Sequence, residues 1–257
     1  MGGSDDRGNQ AMPDVPKGAR HGTVGRVTDL AGRSILVAGA SGGLGSAISR
    51  LLAADGALLT LVGRDRGRLD ALGLDAVTVE SDLRKPASAG QVVGRAVLEH
   101  GSLDGVVMAA GVVAFGSALD TPDEVLVDVF TINTLAPIRL LRAAGEHLTA
   151  SAAAGNDPFF AAISAVVAEA PMAGMAGYSA SKAALSAYDA AAARELRRAR
   201  VRVLDVRPPH TETGLAQRPV HGDPPRLPTG LDPEVVAARI VSAIRDGERD
   251  VPSSAFS

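Results

Sequence analysis

Tyr178 and Lys182 stand four residues apart near the end of the segment 163–182, ISAVVAEAPMAGMAGYSASK. On a helix, residues i and i+4 share a face, so the phenol and the ammonium point the same way. A free tyrosine, with a pKa of about 10, is a poor base at neutral pH, and a nearby ammonium favours its phenolate. The pair can therefore move a proton. The only side-chain hydroxyl between Ile163 and Tyr178 belongs to Ser164.

A second chemical signal lies upstream in AGASGGLGSAISRLL, where Gly39, Gly43 and Gly45 follow a short apolar run and precede a helical pattern. Glycines so placed let the backbone turn tightly and let a pyrophosphate approach main-chain N–H groups at the positive end of a helix. The strand-to-helix context is what the motif requires. After the next apolar run comes LVGRDRGRLD. A NAD-preferring site places an acid at that strand end for the ribose diol. Here Gly63 stands there and Arg64 follows, and a guanidinium suits a 2′-phosphate. The expectation is NADP(H) over NAD(H). At the end of the third run, Asp82 and Leu83 either hold the adenine or, for Asp82, cap the helix near residue 87. The five histidines form no HExxH-like pattern, so no metal site is expected.

The elements that must position these residues follow from periodicity. Apolar runs at 34–39, 57–63, 76–80, 104–111, 158–164 and 200–206 alternate with Ala-, Leu-, Arg- and Glu-rich segments near 43–54, 87–100, 123–150, 179–199 and 232–246. Strands without polar alternation are buried on both faces, as in a parallel sheet covered by helices. The expected fold is a single α/β domain over 29–257, a Rossmann-type doubly wound parallel sheet flanked by helices. Residues 1–28 are polar, rich in Gly and Pro, and expected to be a disordered or extended tail. The irregular stretch 210–230, HTETGLAQRPVHGDPPRLPTG, is expected to be a substrate lid.

Bulk properties narrow the function further. A net charge of −3 without a basic stripe argues against nucleic acid, and the absence of cysteine excludes disulfides and thiol catalysis. With no signal-peptide core and no run of about 18 apolar residues, a soluble cytoplasmic protein without a membrane span is expected.

Taken in order over about 29–213, these motifs resemble those of the short-chain dehydrogenase/reductase family. AGASGGLG is similar to the family's TGxxxGxG with Ala38 for Thr, MAAG (108–111) occupies the place of NNAG, and TINTLAP supplies Asn133. YSASK gives Tyr178 and Lys182 as YxxxK, and RPPHTET matches PGxxxT with Pro209 for Gly. The resemblance implies catalysis by Tyr178, Lys182 and Asn133, with Asn133 holding a water that relays protons from Lys182. It also implies cofactor contacts from Gly39, Ser41, Gly43, Leu44, Gly45, Arg64, Asp82, Leu83, Ala110, Gly111, Tyr178, Lys182, Thr211 and Thr213.

The serine is out of register. The family's carbonyl-binding serine lies thirteen residues before the tyrosine, and that position is Ala165, with Ser164 one residue early. Because strand side chains alternate, a one-residue shift turns Ser164 away unless the strand end bulges. Three readings stay open: a bulge returns Ser164 to the site, Tyr178 works alone, or catalysis is lost. His210 lies on the loop expected to flank the nicotinamide. Met172 and Met175 either line an apolar pocket or simply pack. The implied activity is NADP(H)-dependent interconversion of a small-molecule carbonyl and alcohol, the alternative being a catalytically silent dinucleotide-binding sensor or scaffold. The Ala-rich helices at 123–150 and 179–199 suit a homo-oligomer, a dimer or higher.

Overall fold

The computed structural model describes residues 28–256. Seven parallel strands form one sheet in the order β3-β2-β1-β4-β5-β6-β7. They are β1 Ser34–Ala38, β2 Leu58–Gly63, β3 Ala76–Glu80, β4 Gly105–Met108, β5 Phe159–Ile163, β6 Arg202–Val206 and β7 Asp250–Val251. The helices are α1 Gly43–Ala54, α2 Arg66–Asp70, α3 Ser88–His100, α4 Asp123–Phe130, α5 Ala136–Ala153, α6 Ala176–Glu195 and α7 Pro233–Arg245. The strand order reverses beside β1, where β2 lies on one side and β4 on the other. In such a sheet the crevice at the carboxyl ends of the strands is where a ligand binds.

Period-two alternation sorts the core into two layers. Leu36, Val106, Met108, Phe160 and Val203 face α3, α5 and α6, where they meet Val92, Leu140 and Leu185. Ile35, Val37, Val107, Phe159 and Leu204 face the other way, onto Ile48, Leu52, Val236 and Ile240 of α1 and α7. Both faces of β1 are therefore buried. Each fully buried Leu, Ile or Phe contributes about 1.5–3 kcal/mol, which makes the central strands the rigid base under the crevice.

Six strands were expected, and the seventh, β7, is two residues long at the sheet edge, too short to leave a periodic signal. Residues 1–27 of the expected tail lie outside the described residues. Thr28 already belongs to the fold, since its hydroxyl donates to Asp157 at 2.6 Å and its N–H to the Arg245 carbonyl at 2.6 Å.

The helix expected over 123–150 is interrupted. A π turn at Thr131–Leu135 joins α4 to α5. Pro137 has no N–H to give to the Asn133 carbonyl one turn back, which favours the wider winding at this point. The irregular stretch 210–230 is held down by backbone bonds from Phe115 to His221 and from Val220 to Val113, both 2.9 Å, and by a bridge between Thr211 and Leu231.

Candidate active site

A cleft of about 630 Å³ opens over the carboxyl ends of the strands. Its floor at one end is the turn between β1 and α1. Gly39 has φ +82°, and a Cβ there would sit 2.5 Å from the Ala110 nitrogen. A Cβ on Gly43 would come within 2.8 Å of the Thr213 side chain. The turn is thus a cradle that side chains would fill, open to a ligand backbone only because it is glycine. Ser41, Leu44, Gly45, Ala110, Gly111, Thr211 and Thr213 line the same cleft. This arrangement fits a dinucleotide.

At the end of β2, Gly63 presents no acid. Asp65 lies close by, but its carboxylate accepts the Arg68 N–H at 3.0 Å and caps α2. Arg64 and Arg68 both line the cleft and are exposed, with Arg68 held by a bond to the Ser41 carbonyl at 2.7 Å. Arg68 was not expected from the sequence; its five-residue offset from Gly63 acquires meaning only through the short helix α2. Further along the cleft lie Asp82 and Leu83. Asp82 accepts the Arg84 N–H at 3.0 Å, while the N-cap of α3 is Ala87. The capping alternative for Asp82 is therefore replaced by a local turn with Arg84. Arg84 itself is fixed to Asp128 of α4 by paired bonds of 2.5 and 3.0 Å.

Tyr178 lies in the first turn of α6, lines the cleft and is 7% exposed. Burial pushes its phenol up to about 12. The expectation that Lys182 would draw the phenol down is not met: burial dominates, and the neutral phenol is the favoured form. Lys182, also buried, is pushed down to about 8 by burial, with Asp205 and Asp189 acting in the opposite sense. Its Nζ donates to the Ile163 carbonyl at 2.8 Å. Asn133, in the π turn, clamps Val112 through both backbone groups at 2.9 Å, and its Nδ2 also donates to Ser181 Oγ at 3.1 Å. A Cβ on Gly111 would lie 3.2 Å from Asn133 Oδ1 and 3.5 Å from Lys182 Nζ. Asn133 and Lys182 therefore both approach Gly111 in the cleft lining. Where the family carries an asparagine in NNAG, the stretch after β4 is stapled here by Asn133.

Ser164 lines the cleft, but its hydroxyl is engaged on β6. Its hydroxyl donates to Asp205 Oδ1 at 2.5 Å, with the Val206 carbonyl at 3.2 Å, and it is 1% exposed. Alternation along β5 carries the side chain onto β6, and Asp205, which no spacing in the sequence links to Ser164, holds it there. Ala165 lines the cleft but with φ 155° and ψ 164°, a region populated essentially by glycine.

The other end of the cleft is apolar. Val113, Phe115, Val167, Met175 and Ala216 form a buried cluster with Tyr178, and Leu215 and Leu227 pack on it. Met172 and Met175 both line the cleft, as does His210, whose Nε2 is 3.4 Å from Glu212. Among the described residues no cluster of three His, Cys, Asp or Glu could hold a metal, and no helix is long and apolar enough to cross a membrane.

The profile of the short chain dehydrogenases matches residues 33–223. The chain belongs to this family of oxidoreductases. An uncharacterised oxidoreductase of Methylorubrum extorquens is 32% identical over 195 residues, 73% of this chain and 76% of its own length. A short-chain dehydrogenase of Sphingobium yanoikuyae, solved with NADPH, superposes with TM-score 0.76 at 27% identity, over 86% of this chain and 87% of that one. The fold is also that of a 3-ketoacyl-(acyl-carrier-protein) reductase of Brucella melitensis solved with NADH, with TM-score 0.78, 22% identity, and 89% and 100% coverage.

Proposed function

We propose that the protein is an NADP(H)-dependent oxidoreductase that interconverts a carbonyl and an alcohol on an apolar small molecule. The observation that carries this reading is the buried Tyr178 phenol on the cleft wall, with Lys182 and Asn133 next to Gly111. Gly39, Ser41, Gly43, Leu44 and Gly45 would hold the pyrophosphate, Arg64 and Arg68 the 2′-phosphate, and Asp82 and Leu83 the adenine. Ala110, Gly111, Thr211 and Thr213 would line the nicotinamide end. When bound, the nicotinamide supplies or accepts the hydride.

The remaining chemistry belongs to the chain. With its phenol favoured as the neutral form, Tyr178 gives its proton to the oxygen of a carbonyl undergoing reduction, and takes it back in the oxidation of an alcohol. Lys182 stabilises the phenolate left behind, and Asn133 orders the proton supply at Lys182. With Ser164 held by Asp205, Tyr178 alone polarises the carbonyl oxygen. The apolar wall of Val113, Phe115, Val167 and Met175 excludes water from that oxygen and favours a substrate with few polar groups. Exposed Val127 of α4 and Leu135 of the π turn support a homodimer through these helices.

A second reading, a catalytically silent dinucleotide-binding protein, is favoured by Ala165 and by MAAG (108–111) in place of NNAG. One screen separates the two. NADPH and NADH consumption is followed over alkyl and aryl ketones, acyl thioesters, steroids and sugars, with Tyr178→Phe as blank. Tyr178-dependent oxidation of NADPH by apolar ketones is expected; NADPH binding by calorimetry with no turnover across the panel would establish the silent protein instead.

A further inference from the structure

Asp189 is a buried carboxyl that the proposed reaction does not use. It lies on α6 two turns beyond Lys182, is 1% exposed, and neither of its oxygens meets a hydrogen-bond partner among the described residues. A buried, unpartnered carboxyl is rare enough to require a reason. Seven residues along a helix return to the same face, so Asp189 and Lys182 share the buried side of α6.

The groups around the pair differ in how firmly they are held. From β6, Asp205 accepts Ser164 Oγ and Ser186 Oγ, each at 2.5 Å, and is bonded to Arg207. Arg207 in turn binds Glu169 and Asp250. Asp205 is thus held in place by three donors. From α6 itself come Tyr178 and Tyr188, from the π turn Asn133, and from α5 Arg142, whose charge acts on Tyr188. Asp189 is the one carboxyl of this group without a donor. Burial, with the Asp205 charge adding to it, pushes Asp189 up to about 8, while Lys182 is pushed down to about 8. Two neighbouring groups brought to similar values titrate as a pair.

We propose that Asp189 is a positioning residue for Lys182: buried on the same face of α6 and without a donor of its own, its carboxylate supports the charge of the Lys182 ammonium. The proposal rests on the reading that Lys182 serves Tyr178. It adds to that reading a reason why a lysine this deeply buried still holds its charge at the pH where the reaction runs.

The test is the pH profile of kcat/KM between pH 6 and 10.5 for the wild type, Lys182→Arg, Asp189→Asn and Asp189→Glu. Arginine does not deprotonate in this range, so the alkaline limb missing from Lys182→Arg belongs to Lys182. Asp189→Asn should move that limb to lower pH by about one unit, a loss of roughly tenfold above it, and Asp189→Glu should return it. A limb that stays in place in folded Asp189→Asn overturns the proposal. Asp189→Thr carries the same test if the asparagine variant does not fold.

A second readout uses the cofactor-free protein. A carboxyl whose folded-state pKa is raised stabilises the fold fully below its ordinary value and loses that contribution as pH rises through the raised one. The unfolding free energy of the wild type minus that of Asp189→Asn should therefore fall between about pH 4 and pH 8, and a flat difference also overturns the proposal. Turnover that is indifferent to Tyr178→Phe would count against the proposed function, whereas the stability difference reads the Asp189 carboxyl independently of it.

Discussion

The two ends of the cleft are built by different means. The nucleotide end is made of backbone: the β1–α1 turn closes because Gly39 adopts φ +82° and because Gly43 leaves room beside Thr213. The carbonyl end is made of side chains that arrive from separate elements, Tyr178 and Lys182 from α6, Asn133 from the π turn and Ser164 from β5. A turn of glycines tolerates no substitution but needs no partners. A side-chain site depends on what each neighbour does with its own hydrogen bonds, and here Asp205 takes the hydroxyl of Ser164.

That contrast can be broken at either end. The largest effect is expected from Gly39→Val: a Cβ 2.5 Å from the Ala110 nitrogen forces the turn apart, so NADPH binding by calorimetry should be lost while the circular dichroism spectrum keeps its α/β form. Next comes the double change Arg64→Ala with Arg68→Ala. Charge-assisted bonds to a phosphate are each worth about 1.5–3 kcal/mol. The Kd for NADPH should rise at least tenfold with that for NADH nearly unchanged, and equal weakening of both would remove the 2′-phosphate assignment.

At the carbonyl end the tests act on single side chains. Ala165→Ser puts a hydroxyl on the cleft wall where the family carries one. One donor to a developing oxyanion is worth about 10²–10³ in rate when its geometry is ideal. The φ of 155° at this residue makes a gain of about tenfold in kcat/KM the expectation, and no gain would mean that the loop does not aim position 165 at the substrate oxygen. Lys182 is read in stability rather than in rate. Its folded-state pKa of about 8 lies below the ordinary 10.5, so the unfolded chain binds more protons between those values and stability rises with pH across the window. The unfolding free energy of the wild type minus that of Lys182→Met should grow between pH 8 and 10.5 by up to about 3 kcal/mol.

What could be read from the sequence follows the same division. Strands β1 to β6 are short, mostly apolar runs, and the glycine turn is a local pattern, so periodicity and spacing were enough to place them. The two-residue β7 and the five-residue α2 carry too little pattern to be seen, and with α2 went Arg68. The π turn required knowing that Pro137 would deny a bond to the Asn133 carbonyl within an otherwise helical stretch. Ser164 shows the harder limit: its register was legible, but its partner Asp205 is 41 residues away and adjacent only through the pairing of β5 with β6. The rise of the Tyr178 phenol had the same cause, since burial comes from Val113, Phe115 and Met175, residues the YxxxK spacing does not mention.

The central claim is that Tyr178, not Ser164, handles the carbonyl oxygen. It is tested most directly by measuring kcat/KM with NADPH and the best ketone of the screen for Ser164→Ala and Tyr178→Phe side by side. Proton transfer by a placed side chain contributes about 10²–10⁴-fold. The account predicts a loss of at least 10²-fold for Tyr178→Phe and a change within about threefold for Ser164→Ala, whose lost bond to Asp205 should appear as reduced stability. A comparable loss in both variants would contradict it.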